Sequence, residues 1–228
     1  MTGYGQYCPV SRALDVLGQR WALLVVRELV GGDLRFRDIQ RGVPTCPPAT
    51  LTKRLRELVA AGVVEQRGQD GATVYGLSPA GAEVYPVLDA LGRWGQRWVR
   101  STYEPEEVDA AGLLWDQRGF FDPGGLGVER AVVELQIAQA PASGARRFWV
   151  VVAPEGVDVC LVDPGRPVDA LIEADVRTLA RIWMGDVAFE EAARAGEVRV
   201  SGAAPVVRRI PGWYPRHPAL ASVGPAEA

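Results

Sequence analysis

Apolar residues between positions 11 and 61 recur every three to four residues, the period of an amphipathic helix. Trp21, Leu24, Val25 and Leu29 fall at i, i+3, i+4 and i+8 and predict a helix over 20–30, stopped by Gly31-Gly32. A shorter helix is predicted over 11–17, ended by Gly18, and another over 36–41 with Phe36 and Ile39 on one side. A turn holding Pro44, Pro47 and Pro48 follows. Leu51, Leu55 and Leu58 then mark the buried stripe of a helix over 48–61, which Pro48 opens and Gly62 closes. Around Gly68-Gln69-Asp70-Gly71 the texture alternates, predicting a hairpin of strands 63–67 and 73–77. Ser78-Pro79 opens a long helix to about residue 100, bent near Pro86, with Leu88, Leu91 and Trp98 on one face.

Beyond residue 112 the pattern changes. Strands are predicted over 129–138, 148–153, 157–162 and 197–200, and helices over 176–184 and 187–195. Residues 203–228 hold five prolines and are expected to wrap the surface. The stretch 101–112 carries Glu104, Glu106, Glu107 and Asp109 beside Pro105 and reads as an acidic linker. The expected architecture is therefore a mainly α, winged helix-turn-helix domain over 1–100 and an α+β domain with an antiparallel-rich sheet over 113–228.

Charge sharpens this division. The chain has 228 residues and a formal net charge of −3, but residues 1–100 hold 13 cations against nine acids and residues 101–228 hold 12 against 19. A basic half joined to an acidic half predicts two domains with different partners. Between Arg35 and Arg56 six cations face one acid. On the 48–61 helix Lys53 lies opposite the leucine stripe, with Arg56 beside it and Thr50 and Arg54 on the flanks. Phosphate neutralisation and an element that fits the major groove are what duplex DNA requires. Arg35, Arg37, Thr50, Lys53, Arg54, Arg56 and, in the wing, Arg67 are the expected DNA-binding residues.

Several segments then resemble the HxlR family of bacterial transcription regulators. They are Cys8-Pro9-Val10, Ala13-Leu14-Asp15-Val16-Leu17-Gly18, Arg20-Trp21, Arg27-Glu28-Leu29, Arg35-Phe36, and Leu51-Thr52-Lys53-Arg54-Leu55-Arg56-Glu57-Leu58. Leu77-Ser78-Pro79-Ala80-Gly81 and Trp94-Gly95 continue the resemblance, which covers about residues 7–100. It implies a homodimeric winged-helix regulator of a palindromic duplex operator, with terminal helices forming the dimer contact. Leu88, Leu91 and Trp98 are the dimerisation residues expected on that basis and from their shared apolar face. Pro47 stands where the family has a capping Ser, so the helix that follows begins without a side-chain cap. Some family members sense oxidants through an N-terminal Cys, which makes Cys8, one turn from Arg12, a redox-sensing candidate. Cys46 and Cys160 are expected in packed surroundings.

The second half resembles, more loosely, the sterol-carrier-protein type of domain. The resemblance rests on Ile172-Glu173-Ala174-Asp175, Thr178-Leu179, Ile182, Gly185, residues 192–196, Val198-Arg199-Val200 and Gly202. It implies a five-stranded sheet with helices over an apolar tunnel. Trp149, Trp183, Phe189 and Trp213 are the candidate pocket residues for an apolar small-molecule effector. Packing a plain core is the competing reading of these aromatics.

Other chemistries find little support. His217 is the only histidine, no Cys/His set has metal-ligand spacing, and no glycine-rich phosphate loop follows a strand, so neither an enzyme nor a cofactor or metal site is expected. Apolar runs reach six residues, at 21–26 and 148–153, so no membrane partner is expected. With three cysteines and no leader pattern at 1–7, the expected compartment is the cytoplasm. The expected function is a DNA-binding regulator responsive to an apolar small molecule or to redox state. The rival is a lipid or small-molecule carrier whose winged helix serves protein contacts.

Overall fold

A computed structural model describes residues 3–69, 71–99, 109–138, 146–219, 221 and 223. The chain divides into two compact units, residues 1–92 and 93–228. Most of the predicted acidic linker, residues 101–108, lies outside the described residues, as do Asp70 in the wing turn and Arg100.

The first unit runs α1 (Pro9–Leu17), α2 (Ala22–Leu29), β1 (Leu34–Arg35), α3 (Phe36–Gly42), α4 (Pro48–Ala60), β2 (Val64–Gln69), β3 (Ala72–Leu77) and α5 (Pro79–Ala82), and enters α6 (Tyr85–Trp98). Its sheet has the order β1-β3-β2, antiparallel throughout. The core gathers Val25, Val26 and Leu29 from α2, Ile39 from α3, and Leu51, Leu55 and Leu58 from α4. This is the winged helix-turn-helix order that the periodicity predicts, with three local differences. Helix α2 starts at Ala22 rather than residue 20, because Trp21 takes a left-handed φ of +78° and cannot continue a helix backwards. Strand β1 has two residues, too few for an alternation to register. The long helix expected over 78–100 is two helices. Ser78 caps α5 by accepting from Gly81 N at 3.0 Å, the chain turns through Glu83 and Val84, and Pro86 sits in the first turn of α6, where its missing N–H disrupts nothing.

The second unit contains α7 (Ala110–Gln117), a 3-10 turn over Arg118–Phe120, β4 (Ala131–Ala138), β5 (Arg147–Ala153), β6 (Gly156–Cys160) and β7 (Ala170–Asp175). It continues with α8 (Val176–Met184), α9 (Phe189–Arg194), β8 (Val198–Gly202), α10 (Ala204–Val207) and α11 (Ile210–Trp213). Five strands form a mixed sheet in the order β6-β5-β4-β7-β8, parallel between β4 and β7 and antiparallel elsewhere. Val133, Leu135, Phe148, Val150 and Ile172 on one sheet face pack with Leu114, Leu179, Ile182 and Phe189 from the helices. Asp175 caps α8, accepting from Thr178 N at 2.7 Å and Thr178 Oγ1 at 2.9 Å, and Gly185 ends it at φ +80°.

The tail corrects the sequence expectation. Residues 203–214 do not wrap the surface: Val206, Ile210, Trp213 and Tyr214 belong to the core. Trp213 Nε1 donates to the Asp122 carbonyl at 2.9 Å, and the Tyr214 hydroxyl donates to Gln117 Oε1 at 2.9 Å. Burial pushes the Tyr214 phenol up from its ordinary value, against the opposing effect of the Gln117 bond. Prolines start these two short helices, so a proline-rich composition concealed helical, buried segments. Helix α7 and strand β7 also went unpredicted. Alternation in β7 is clear in its burial, with Ala170, Ile172 and Ala174 inward, but Glu173 and Asp175 masked it in the sequence.

The other face of the sheet carries a buried charge. Glu134 and Gln136 on β4 stand opposite Trp149 and Arg147 on β5. Glu134 accepts from Arg147 Nε at 2.6 Å, from Arg147 Nη2 at 3.1 Å and from Gln136 Nε2 at 2.9 Å. The hydrogen bonds from Arg147 hold the Glu134 carboxyl below its usual value, against the opposing effect of burial. A depressed folded-state pKa stabilises the fold above the unfolded-state pKa, and that stabilisation is lost as pH falls through the folded-state value. Arg147→Ala leaves the buried carboxylate without its cation. The variant should therefore melt several degrees below wild type at pH 7, and the gap should be smaller at about pH 3, below the ordinary glutamate value, where the wild type is losing the contribution of the pair. Calorimetric scans at the two pH values check this; an equal gap at both would contradict it.

Candidate nucleic-acid interface

Helix α4 is built from its inward face. Leu51, Leu55 and Leu58 are each no more than 2% exposed, which fixes the helix rotation and sends the opposite residues outward. Pro47 occupies the N-cap position in extended conformation with no side-chain cap, and Pro48 takes the first helical position, as the sequence predicts. The Thr52 hydroxyl donates back to the Pro48 carbonyl at 2.9 Å.

The predicted DNA-binding residues do not all present themselves alike. Lys53 is 68% exposed, 4.0 Å from Glu57, and Arg56 is exposed beside it. Thr50 is half-buried at the start of the helix. Arg35 and Arg37 are exposed at the start of α3. Arg54 instead folds against the protein, 12% exposed: Nε donates to the Arg20 carbonyl at 3.0 Å and Nη1 donates to Glu57. Arg67, in the wing, donates to both Asp33 oxygens at 2.8 and 2.9 Å and to Glu65. The Asp33 hydrogen bond, followed by that of Glu65, raises the guanidinium's pKa, so this cation is already paired with two acids. Sequence reasoning missed both clamps. Glu57 was visible three residues beyond Arg54, but Asp33 reaches Arg67 only because β1 pairs with β3, next to β2.

Cys8 is exposed at the N-cap of α1, and the Arg12 guanidinium lies 3.8 Å from Asp15. Cys46 is buried just before α4, and its thiol is pushed up by burial although Arg54 and Arg20 pull the other way. Cys160, expected in the core, is only half-buried at the end of β6.

On α6, Leu91 and Trp98 are exposed, at 49% and 62%, but Leu88 is half-buried against the core of the first unit. The apolar face is completed instead by Val87 and Trp94, both exposed. Positions 87, 91, 94 and 98 are spaced i, i+4, i+7 and i+11 and lie within a narrow arc of the helix. That spacing was legible in the sequence.

In the second unit Trp149, Trp183, Phe189 and Trp213 are all buried. Three of them pack on other rings: Phe121 with Trp213 at 4.6 Å between centroids, Phe189 with Tyr214 at 5.5 Å, and Trp183 with Phe120 at 5.2 Å, whereas Trp149 has the Arg147 guanidinium 5.3 Å from its ring centroid. An open cleft of about 700 Å³ lies elsewhere, at the ends of β4 and β7, and none of the four lines it. Its walls are polar, with Gln136, Arg147, Glu173 and Arg199 in one cross-strand row. Among the described residues no group of three His, Cys, Asp or Glu is placed to hold a metal ion, and no helix is long and apolar enough to cross a membrane.

Comparison with known proteins agrees with the first unit. The family model for the HxlR-like helix-turn-helix matches residues 16–103. An uncharacterised HTH-type transcriptional regulator of Synechocystis, sll1512, is 34% identical over 98 residues, 42% of this chain and 73% of that protein. The similarly described YvaP of Bacillus subtilis is 30% identical over 102 residues, 43% of this chain and 94% of that protein. The solved reduced form of the B. subtilis transcriptional regulator YodB is 27% identical, covers 41% of this chain and 95% of that one, and superposes with a TM-score of 0.37. Through its first hundred or so residues, the chain belongs to the HxlR-like helix-turn-helix family of transcriptional regulators.

Proposed function

We propose that the protein is a homodimeric regulator acting in the cytoplasm, which reads a palindromic duplex operator through α4 and responds to a small molecule taken up by its second unit. The observation that carries the DNA reading is the exposed Lys53/Arg56 face on a helix whose other side is locked into the core. N-terminal residues of a recognition helix reach base edges, which favours Thr50 and Lys53 for readout and Arg56, Arg35 and Arg37 for phosphates. Arg67, held by Asp33 and Glu65, contributes less to phosphate neutralisation than its charge implies.

The exposed row Val87, Leu91, Trp94 and Trp98 supports the dimer. Four large apolar side chains on one helical face are best covered by the same face of a second copy, the self-complementary contact of a two-fold pair. The second unit supports the small-molecule reading through its five-stranded sheet, the strand number implied by the sterol-carrier-like resemblance. Its buried Trp149 Nε1 has no hydrogen-bond partner among the described residues, so an acceptor supplied by a ligand would satisfy it. Phe189 and Trp213 belong to the apolar core, so an apolar ligand reaches these two only by opening it. Redox response is a second reading, favoured by the exposure of Cys8.

Three outcomes test this. Lys53→Ala and Arg56→Ala should each weaken duplex binding, by about 1–3 kcal/mol where a base contact is lost, and a lost phosphate contact should shallow the salt dependence by about one unit of slope. Gel shifts across a salt series read both; wild-type affinity in both variants would remove α4 from the interface. Trp98→Glu together with Leu91→Glu should turn a sedimenting dimer into a monomer and abolish operator binding in the same step. A wild-type protein that sediments as a monomer at micromolar concentration would defeat the dimer. For Cys8, mild peroxide should change DNA affinity in the wild type and leave Cys8→Ser unaffected; an identical response in the variant would assign the effect to another group.

A further inference from the structure

Arg54 has the charge of a phosphate contact but not the exposure. Only 12% of its side chain is accessible, against 68% for its neighbour Lys53. Its guanidinium, a planar fork of five donors, is committed at Nε to the Arg20 carbonyl and at Nη1 to Glu57. Arg20 lies 34 positions earlier, in the turn between α1 and α2.

That turn is itself unusual. Its next residue, Trp21, has the one left-handed φ of any non-glycine among the described residues. A bulky aromatic side chain is strained there and stays only where its surroundings hold it. Trp21 packs against the core of the first unit, and its carbonyl accepts from Val25 N at 2.9 Å, starting α2. The Arg54–Arg20 bond ties the middle of α4 to this turn. The leucine stripe decides which face of α4 points outward, but apolar contacts are not directional. A hydrogen bond to a rigid carbonyl is directional, and it sets the angle at which the helix leaves the core.

We propose that Arg54 is a positioning residue. It fastens α4 to the α1–α2 turn and sets the angle at which the Lys53/Arg56 face meets the duplex, while its own charge is kept from the phosphates. The inference rests on the DNA reading of α4 given above. It separates two quantities that a phosphate contact would move together. Sequence preference needs the helix at the right angle, whereas binding to arbitrary duplex needs only cations near phosphates.

The test uses two duplexes, one selected from a random pool by the wild-type protein and one of arbitrary sequence. Affinities are measured across a salt series, well below the melting temperature of each variant. Arg54→Ala should lose tenfold or more of the preference for the selected duplex, yet keep wild-type affinity and salt slope on the arbitrary one. Arg54→Lys retains the charge without the fork and should show the same loss; it also carries the test if Arg54→Ala does not fold. Wild-type preference in Arg54→Lys would overturn the proposal, because charge alone would then suffice. A salt slope shallower by about one unit in Arg54→Ala would also overturn it, as the mark of a phosphate contact. If Lys53→Ala and Arg56→Ala leave binding to both duplexes unchanged, the reading of α4 fails first and takes the proposal with it.

Discussion

The outward face of α4 exists because its inward face is committed to the core. Burying a leucine side chain stabilises a fold by about 1.5–3 kcal/mol, and α4 buries three on one stripe. Turning the helix by one residue would swing that stripe by about 100° and bring cations inward. The rotation of α4 is therefore fixed by apolar burial, and the basic face follows from it. The same geometry leaves Arg54 on the flank, where it meets the α1–α2 turn, and Lys53 opposite the core, where it meets solvent.

The second unit applies a comparable logic to a sheet. One face of its five strands joins the helices in a continuous apolar core, into which the tail also packs. The other face carries a polar row and the Glu134–Arg147 pair. A carboxylate buried on that face is tolerated because Arg147 and Gln136 donate three hydrogen bonds to it.

Much of the first unit was legible because helical period is a strong signal over 10 or more residues. The stripe at 51, 55 and 58 located α4 within one residue at its end, and the glycines around the wing located the hairpin. What escaped was set by tertiary contact. Nothing local marks Trp21 for a left-handed turn, and no spacing rule joins Asp33 to Arg67 or Arg54 to Arg20. A count of charges does not show which are engaged: of the cations expected to bind DNA, Arg54 and Arg67 are held by groups within the protein, and Lys53 lies 4.0 Å from Glu57. In the second unit the prolines of the tail read as surface, whereas they open the short helices that bury Val206 and Trp213. The aromatics there were legible as buried, but composition does not distinguish a packed core from a lined cavity.

The reading proposed for α4 places the start of the helix in the groove of a duplex. Its most direct test attaches a photocrosslinker to a cysteine at the exposed position of Lys53→Cys, and separately at Ala60→Cys at the far end of the same helix, each with Cys8 and Cys160 replaced by Ser. Crosslinks are expected from position 53 to bases of a duplex selected by the wild-type protein, and few or none from position 60. Equal yields from the two positions, or no base crosslink from position 53, would contradict it.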